Sequence, residues 1–133
     1  MTMTPAPRGQ IVLVVQSNPV AGANAAHELE WQGFRVSGPH NSCSAALYAI
    51  TVDHPQIAVL DSSLEQDAAW RLLLSELSQR GVLFLDYCDE TLRGQQPDHL
   101  SHIVCIDHSS PPRDLALAVI MLSHGHEDLP QAA

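Results

Sequence analysis

One aspartate closes an otherwise apolar run, Ile57-Ala58-Val59-Leu60-Asp61, and it is the residue of this sequence best placed to do chemistry. A carboxylate there can hold a cation or act as a nucleophile. It can also do no more than cap the loop that follows. Other apolar runs end in a similar way. Asp86 follows Val82-Leu83-Phe84-Leu85, Asp107-His108 follows His102-Ile103-Val104-Cys105-Ile106, and Gln16-Ser17 follows Ile11–Val15. Asp61, Asp86 and His108 would suit a transition metal if they converged. As a plain pair, Asp86 and His108 would form a solvated ion pair. His99, His102, His124 and His126 make a metal cluster only on paper, and His124-Gly125-His126 reads as a solvated pair in a tail. The sequence holds no P-loop, no G-x-G-x-x-G and no G-x-S-x-G elbow.

These positions need elements to hold them. Ile11–Val15 is a continuous β-branched and aliphatic run, the pattern of a strand buried on both faces. Asn18-Pro19 suits a helix start, Val20–Gln32 a helix, and Gly33 its stop. Phe34–Ser37 reads as a second strand closed by Gly38-Pro39. Asn41 or Ser42 then caps a helix over Cys43–Val52. Ile57–Asp61 is the third strand. Ala68–Arg80 is the clearest helix, with Trp70, Leu73, Leu74 and Leu77 at helical spacing. Val82–Leu85 is the fourth strand. Asp86–Ser101 is polar and broken by Gly94 and Pro97, which makes Asp89–Ser101 the segment expected to be most mobile. His102–Ile106 is the fifth strand and Arg113–Ser123 the last helix. Trp31 and Trp70 read as core or helix-packing residues. The organisation is an arm over 1–10, one domain over 11–123 and a flexible tail over 124–133. Five strands alternating with helices imply a doubly wound parallel sheet with helices on both faces. In such sheets the functional crevice lies at the carboxyl ends of the strands, here Gln16-Ser17, Ser37-Gly38, Asp61, Asp86 and Asp107-His108.

Composition narrows the function. The chain has 133 residues, enough for one domain with its own core. Its formal charge is −9, from 15 acids against 6 bases. Nucleic acid and anionic membrane are therefore not expected as partners, since both require a cationic surface. Cys43, Cys88 and Cys105 are odd in number and lack C-x-x-C spacing, which fits thiols in a reducing compartment. No signal peptide is visible, and no apolar run is long enough to span a bilayer. A cytoplasmic location is expected.

From Ile11 to about Ser123 the sequence resembles the response-regulator receiver family. Leu60-Asp61-Ser62-Ser63-Leu64 is similar to the family's LDxxL phosphoacceptor segment. Val36-Ser37-Gly38-Pro39 followed by Ser44-Ala45-Ala46-Leu47 is similar to the VxGP…AxxAL pattern of one receiver subgroup. The Ser17-to-Asp61 and Asp86-to-His108 spacings also match. The resemblance implies a flavodoxin-like (CheY-like) fold and phosphoryl transfer from a phosphohistidine to one aspartate. The family performs this with an acidic pair holding Mg²⁺, a Ser or Thr after the fourth strand and a Lys after the fifth.

Only the acceptor, Asp61, is matched. Gln16 and Ser17 stand in place of the acidic pair, Asp86 in place of the hydroxyl and His108 in place of the Lys. Loss of two carboxylates removes most Mg²⁺ affinity. Asp86 adds a like charge where a phosphoryl group would sit, and an unperturbed His is mostly neutral at pH 7. The expectation is a degenerate, stand-alone pseudo-receiver: no enzyme, no cofactor, no metal, working by protein contact. The family implies a histidine kinase, a phosphotransfer protein or a second copy as partner. It also implies docking on the face of the first and last helices or on the fourth-to-fifth-strand face. The alternatives are a functional receiver phosphorylated on Asp61 and, from another class, a small flavodoxin-like enzyme or ligand-binding protein. The last is weakened by Gln16-Ser17-Asn18-Pro19, which lacks the hydroxyls and glycines of a phosphate loop.

Overall fold

The computed structural model of the chain describes residues 10–89 and 103–128, with side chains in the last helix as far as His124. The sequence expectations for the arm over 1–9, for Asp89–Ser101 beyond Asp89 itself, for His99 and His102, and for 129–133 lie outside these residues. The elements are β1 (Ile11–Val15), α1 (Pro19–Trp31), β2 (Arg35–His40), α2 (Cys43–Asp53), β3 (Ile57–Leu60), a 3₁₀ turn (Ser62–Gln66), α3 (Trp70–Gln79), β4 (Leu83–Cys88), β5 (Cys105–Asp107) and α4 (Pro112–Asp128). Local chemistry explains their ends. Asn18 Oδ1 accepts from the N–H groups of Val20 at 2.8 Å and Ala21 at 3.2 Å, and Pro19 opens α1. Ser42, not Asn41, caps α2 through the Ala45 N–H.

The strands form one parallel sheet in the order β2-β1-β3-β4-β5. β1 and β3 are central neighbours, and the chain winds outward from them in opposite directions. The crevice between their carboxyl ends is therefore the topological switch point of the sheet. Both sheet faces are covered, so β1 is apolar throughout. Val12 and Val14 join Ile57, Val59, Leu85 and Tyr87 beneath α1 and α4. Leu13 and Val15 join Ala58, Leu60 and the α2–α3 residues Ala46, Ile50, Leu73 and Leu77 on the other face. Trp70 is buried in this second layer, as its spacing predicts. Among the described residues no helix is long and apolar enough to cross a membrane.

Three sequence expectations are corrected. Trp31 is not a packing residue: it is 78% exposed. The buried stripe of α1 is Ala21, Gly22, Ala25, Ala26 and Leu29, and Trp31 stands off it. The last helix does not stop at Ser123 but continues through His124-Gly125-His126 to Asp128. β4 does not end before Asp86. It runs on to Cys88, and Asp86 lies within the sheet, paired with Leu60 on one side and Cys105 on the other.

Gly38 controls the approach of β2 to the site. It has φ +114°, and a Cβ there would lie 2.7 Å from the His40 nitrogen and 2.8 Å from the Val14 carbonyl oxygen. Both neighbours are backbone and cannot move aside. Gly81 has φ +71° but open space around it. Gly38→Ala should therefore cost about 2–3 kcal/mol by denaturant unfolding. Gly81→Ala should cost only about 1 kcal/mol. Equal losses at the two positions would contradict this account.

Candidate functional site

Asp61 leaves β3 with its side chain directed across the switch point at the start of α1. It is only 1% exposed, so each carboxylate oxygen requires donors. Oδ2 accepts from the Ser17 N–H at 3.0 Å and the Ser17 hydroxyl at 2.8 Å. Oδ1 accepts from the Ser63 N–H at 3.0 Å and the Ser63 hydroxyl at 2.7 Å. The two hydroxyl oxygens lie 3.2 Å apart. One carboxylate thus takes four donors from two serines, and it ties the β1–α1 loop to the turn after β3. Asp61 is also the cap of the 3₁₀ turn, the plainer of the two roles its position allows. Ser17, read from the sequence only as a replacement for one of the family's acids, is one of the two residues that hold Asp61. Ser63 was legible only as part of the Asp-Ser-Ser tripeptide, an Asx-turn signature.

Gln16 turns inward and is buried. Its Nε2 donates to the Leu60 carbonyl at 3.2 Å, and its Oε1 lies 2.9 Å from His108 Nε2. The same His108 nitrogen lies 3.0 Å from the Tyr87 carbonyl oxygen. Both of those partners are acceptors only, so Nε2 carries the proton and His108 donates to both. The imidazole also meets the Tyr87 ring edge-on, with centroids 4.5 Å apart. His108 therefore links β1 to β4 and does not face Asp61. Among the described residues no ion pair joins it to Asp61 or to Asp86. In place of the solvated Asp86–His108 pair expected from the sequence, His108 donates to Gln16 and Tyr87.

Asp86 is buried. Its Oδ1 accepts from the Ser62 N–H at 2.9 Å, the amide next to the acceptor-like Asp61, and the Cys105 thiol lies 3.8 Å from its Oδ2. The Ser62 hydroxyl is buried without a hydrogen-bond partner. Asp61, Asp86 and His108 do not converge: among the described residues no group of three His, Cys, Asp or Glu side chains is placed to hold a metal ion. The sequence contains no lysine. The fixed positive charge that the receiver family places after its fifth strand therefore has no counterpart of that type in this chain.

The cysteines are not in disulfides. Burial, then the charge of Asp67 and its hydrogen bond with the thiol, push the Cys43 pKa up to about 12. Asp67 itself is held below the usual carboxylate range by the N–H groups of Ala69 and Cys43.

No protein-family model matches the chain, and no curated protein matches it in sequence. Its fold, however, is shared with solved receivers. A CheY-like response regulator receiver domain protein from Methanospirillum hungatei JF-1 superposes with a TM-score of 0.71 at 17% identity, over 90% of this chain and 97% of that one. SdrG from Pseudomonas melonis Fr1, in its BeF3-activated conformation, gives 0.69 at 16% over 87% and 98%. The response regulator PhyR from Brucella abortus gives 0.72 at 16%, covering 96% of this chain and 52% of PhyR. The five-stranded sheet order and the flanking helices are those of the CheY-like receiver fold.

Two outcomes follow from the site's geometry. Asp61→Asn places an amide –NH₂ where the Ser17 and Ser63 donors point, and should lower unfolding free energy by about 2 kcal/mol. An unchanged denaturation midpoint would mean that the four contacts do not hold the carboxylate. In the folded protein, a thiol-alkylating reagent near pH 8 should label partly exposed Cys105 first and leave buried Cys43 and Cys88 unlabelled until unfolding. Peptide mapping reads the order, and early labelling of Cys43 would contradict it.

Proposed function

We propose that this chain, which has the fold of a response-regulator receiver, is a signalling module that acts by contact with another protein and takes no phosphoryl group on Asp61 by the Mg²⁺-dependent route. The observation that carries this reading is the saturation of the Asp61 carboxylate by Ser17 and Ser63. Phosphoryl transfer to an aspartate needs a free carboxylate lone pair aligned with the phosphorus and cations to absorb charge on the transferring group. Here both oxygens are occupied by protein donors. The residues also do not fit Mg²⁺, a hard ion that wants carboxylate oxygens: Ser17 donates to Asp61, and Gln16 points away to Leu60 and His108. Asp86 keeps a second carboxylate within the same crevice, next to the Ser62 amide. In this reading the chain is not an enzyme, holds no cofactor and works in the cytoplasm.

The contact surface is placed on α1 and α4, which pack side by side over the sheet. Their outer sides expose Val20 and Trp31 on α1 and Leu117 and Met121 on α4, each at least half exposed. Exposed large apolar side chains on neighbouring helices offer an interaction site, and Trp is among the side chains most enriched in binding hot spots. The partner is a protein of a two-component or phosphorelay pathway, a histidine kinase or phosphotransfer protein before a second copy of this chain. The charge of −9 sets two copies in mutual repulsion.

The reading is tested by treating the folded protein with acetyl phosphate and millimolar Mg²⁺. No phosphoryl adduct should appear in the intact mass, and Mg²⁺ should leave the melting temperature unchanged, because an ion that does not bind the native state cannot stabilise it. An adduct mapped to Asp61 would overturn the proposal in favour of a phosphorylatable receiver. Once a partner is in hand, Trp31→Ala should weaken its binding by about 30-fold or more with no change in melting temperature.

A further inference from the structure

A second polar cluster lies on the β2 side of the sheet, with no part in the Asp61 contacts. Ser37 is buried in β2, and its hydroxyl lies 2.5 Å from Asp53 Oδ2 on α2 and 3.2 Å from His40 Nε2. A hydroxyl has one proton to give, and the carboxylate is an acceptor only. The Ser37 proton therefore goes to Asp53, and the Ser37 oxygen accepts from an N–H on His40 Nε2. This order fixes the tautomer of His40 and leaves Nδ1 with a bare lone pair. No described residue hydrogen-bonds to Nδ1, and it is not among the fully enclosed atoms left without a partner. Burial lowers the His40 pKa, with Asp53 opposing in part, so the neutral ring prevails near pH 7.

His40 lines a cleft of about 300 Å³. Asn41, beside it, is exposed and its side-chain amide is not engaged by any described residue. Pro19, Pro39 and Ala45 form apolar walls. Gly22 closes the back, where a Cβ would come within 3.0 Å of the Pro39 Cβ. The cleft is at the lower end of the size range of small-molecule sites and has their usual character of apolar walls with a few aimed polar groups. The relay from Asp53 through Ser37 to His40 orients one of those groups before any ligand arrives, so less ordering is required on binding.

We infer that this cleft binds a small planar molecule with an amide-like edge, its N–H donor seated on His40 Nδ1 and its neighbouring carbonyl on the Asn41 amide. The inference does not depend on the proposed signalling role, and its test does not touch Asp61.

The probes are benzamide, which has such an edge, and N,N-dimethylbenzamide, which keeps the ring and carbonyl but lacks the N–H. In amide- and imidazole-resolved NMR titrations, benzamide should produce saturable shifts at Gly22, His40 and Asn41. The dimethyl compound should bind about tenfold more weakly or not at all. His40→Phe should abolish the benzamide shifts. If that variant loses its fold, Ala45→Trp fills the cleft from α2 without touching the relay and should abolish them too. Absence of shifts in the wild type, equal binding of the two compounds, or binding that survives either folded variant would overturn the inference.

Discussion

A buried carboxylate must find donors, and how Asp61 finds them shapes the carboxyl edge of this sheet. An unpaired charge in an almost fully enclosed position would cost several kcal/mol. Cation, solvent and neighbouring hydrogen-bond donors are the available remedies. This chain uses donors, two from the loop after β1 and two from the turn after β3. The loops at the switch point are consequently joined to one another through a side chain. The start of α1, held by Asn18 and Pro19, inherits its position from the same contacts.

The rest of the crevice is arranged around that choice. With Ser17 committed to Asp61, Gln16 is free to turn inward, where a buried amide needs both its donor and its acceptor satisfied. Leu60 supplies an acceptor and His108 a donor. His108 in turn spends its one Nε2 proton on Gln16 and the Tyr87 carbonyl. The replacements at these positions are thus not independent losses. They form one hydrogen-bond network spanning β1, β4 and the loop after β5. Asp86 is the one charge within β4, and the Ser62 amide meets it.

Much of this was legible in the sequence. Ile11–Val15 and Ile57–Leu60 are apolar on both faces because both faces of a doubly wound sheet are covered, and α3 shows its buried Trp70, Leu73 and Leu77 at helical spacing. Gln16, Ser17, Asp61, Asp86 and His108 stood out too, since each follows or closes an apolar run, whereas Ser63 did not. Their partnerships were not legible. Gln16 and His108 lie on opposite ends of the chain, and nothing local distinguishes a histidine that donates to a glutamine from one that pairs with an aspartate. Asp86 read as the end of a strand because a charge usually is one, and only the pairing with Leu60 and Cys105 shows it inside the sheet. His124-Gly125-His126 reads as part of a tail, yet α4 continues through it. Trp31 was assigned to the core by its residue type, whereas its place on α1 relative to Ala21, Ala25 and Leu29 turns it outward.

The four-donor clamp on Asp61 also limits how this chain could change by mutation. An acid at Ser17 would set a carboxylate about 3 Å from another before any cation site was complete. A lysine at His108 would set a fixed charge against Gln16 and the Tyr87 carbonyl, which are uncharged acceptors. A threonine at Asp86 would free the Ser62 amide with nothing yet to bind there. Each such single change alters a contact that the present crevice makes. The side chains of the crevice are thus bound to one another's choices, and a change at one position is felt by the partners of the others.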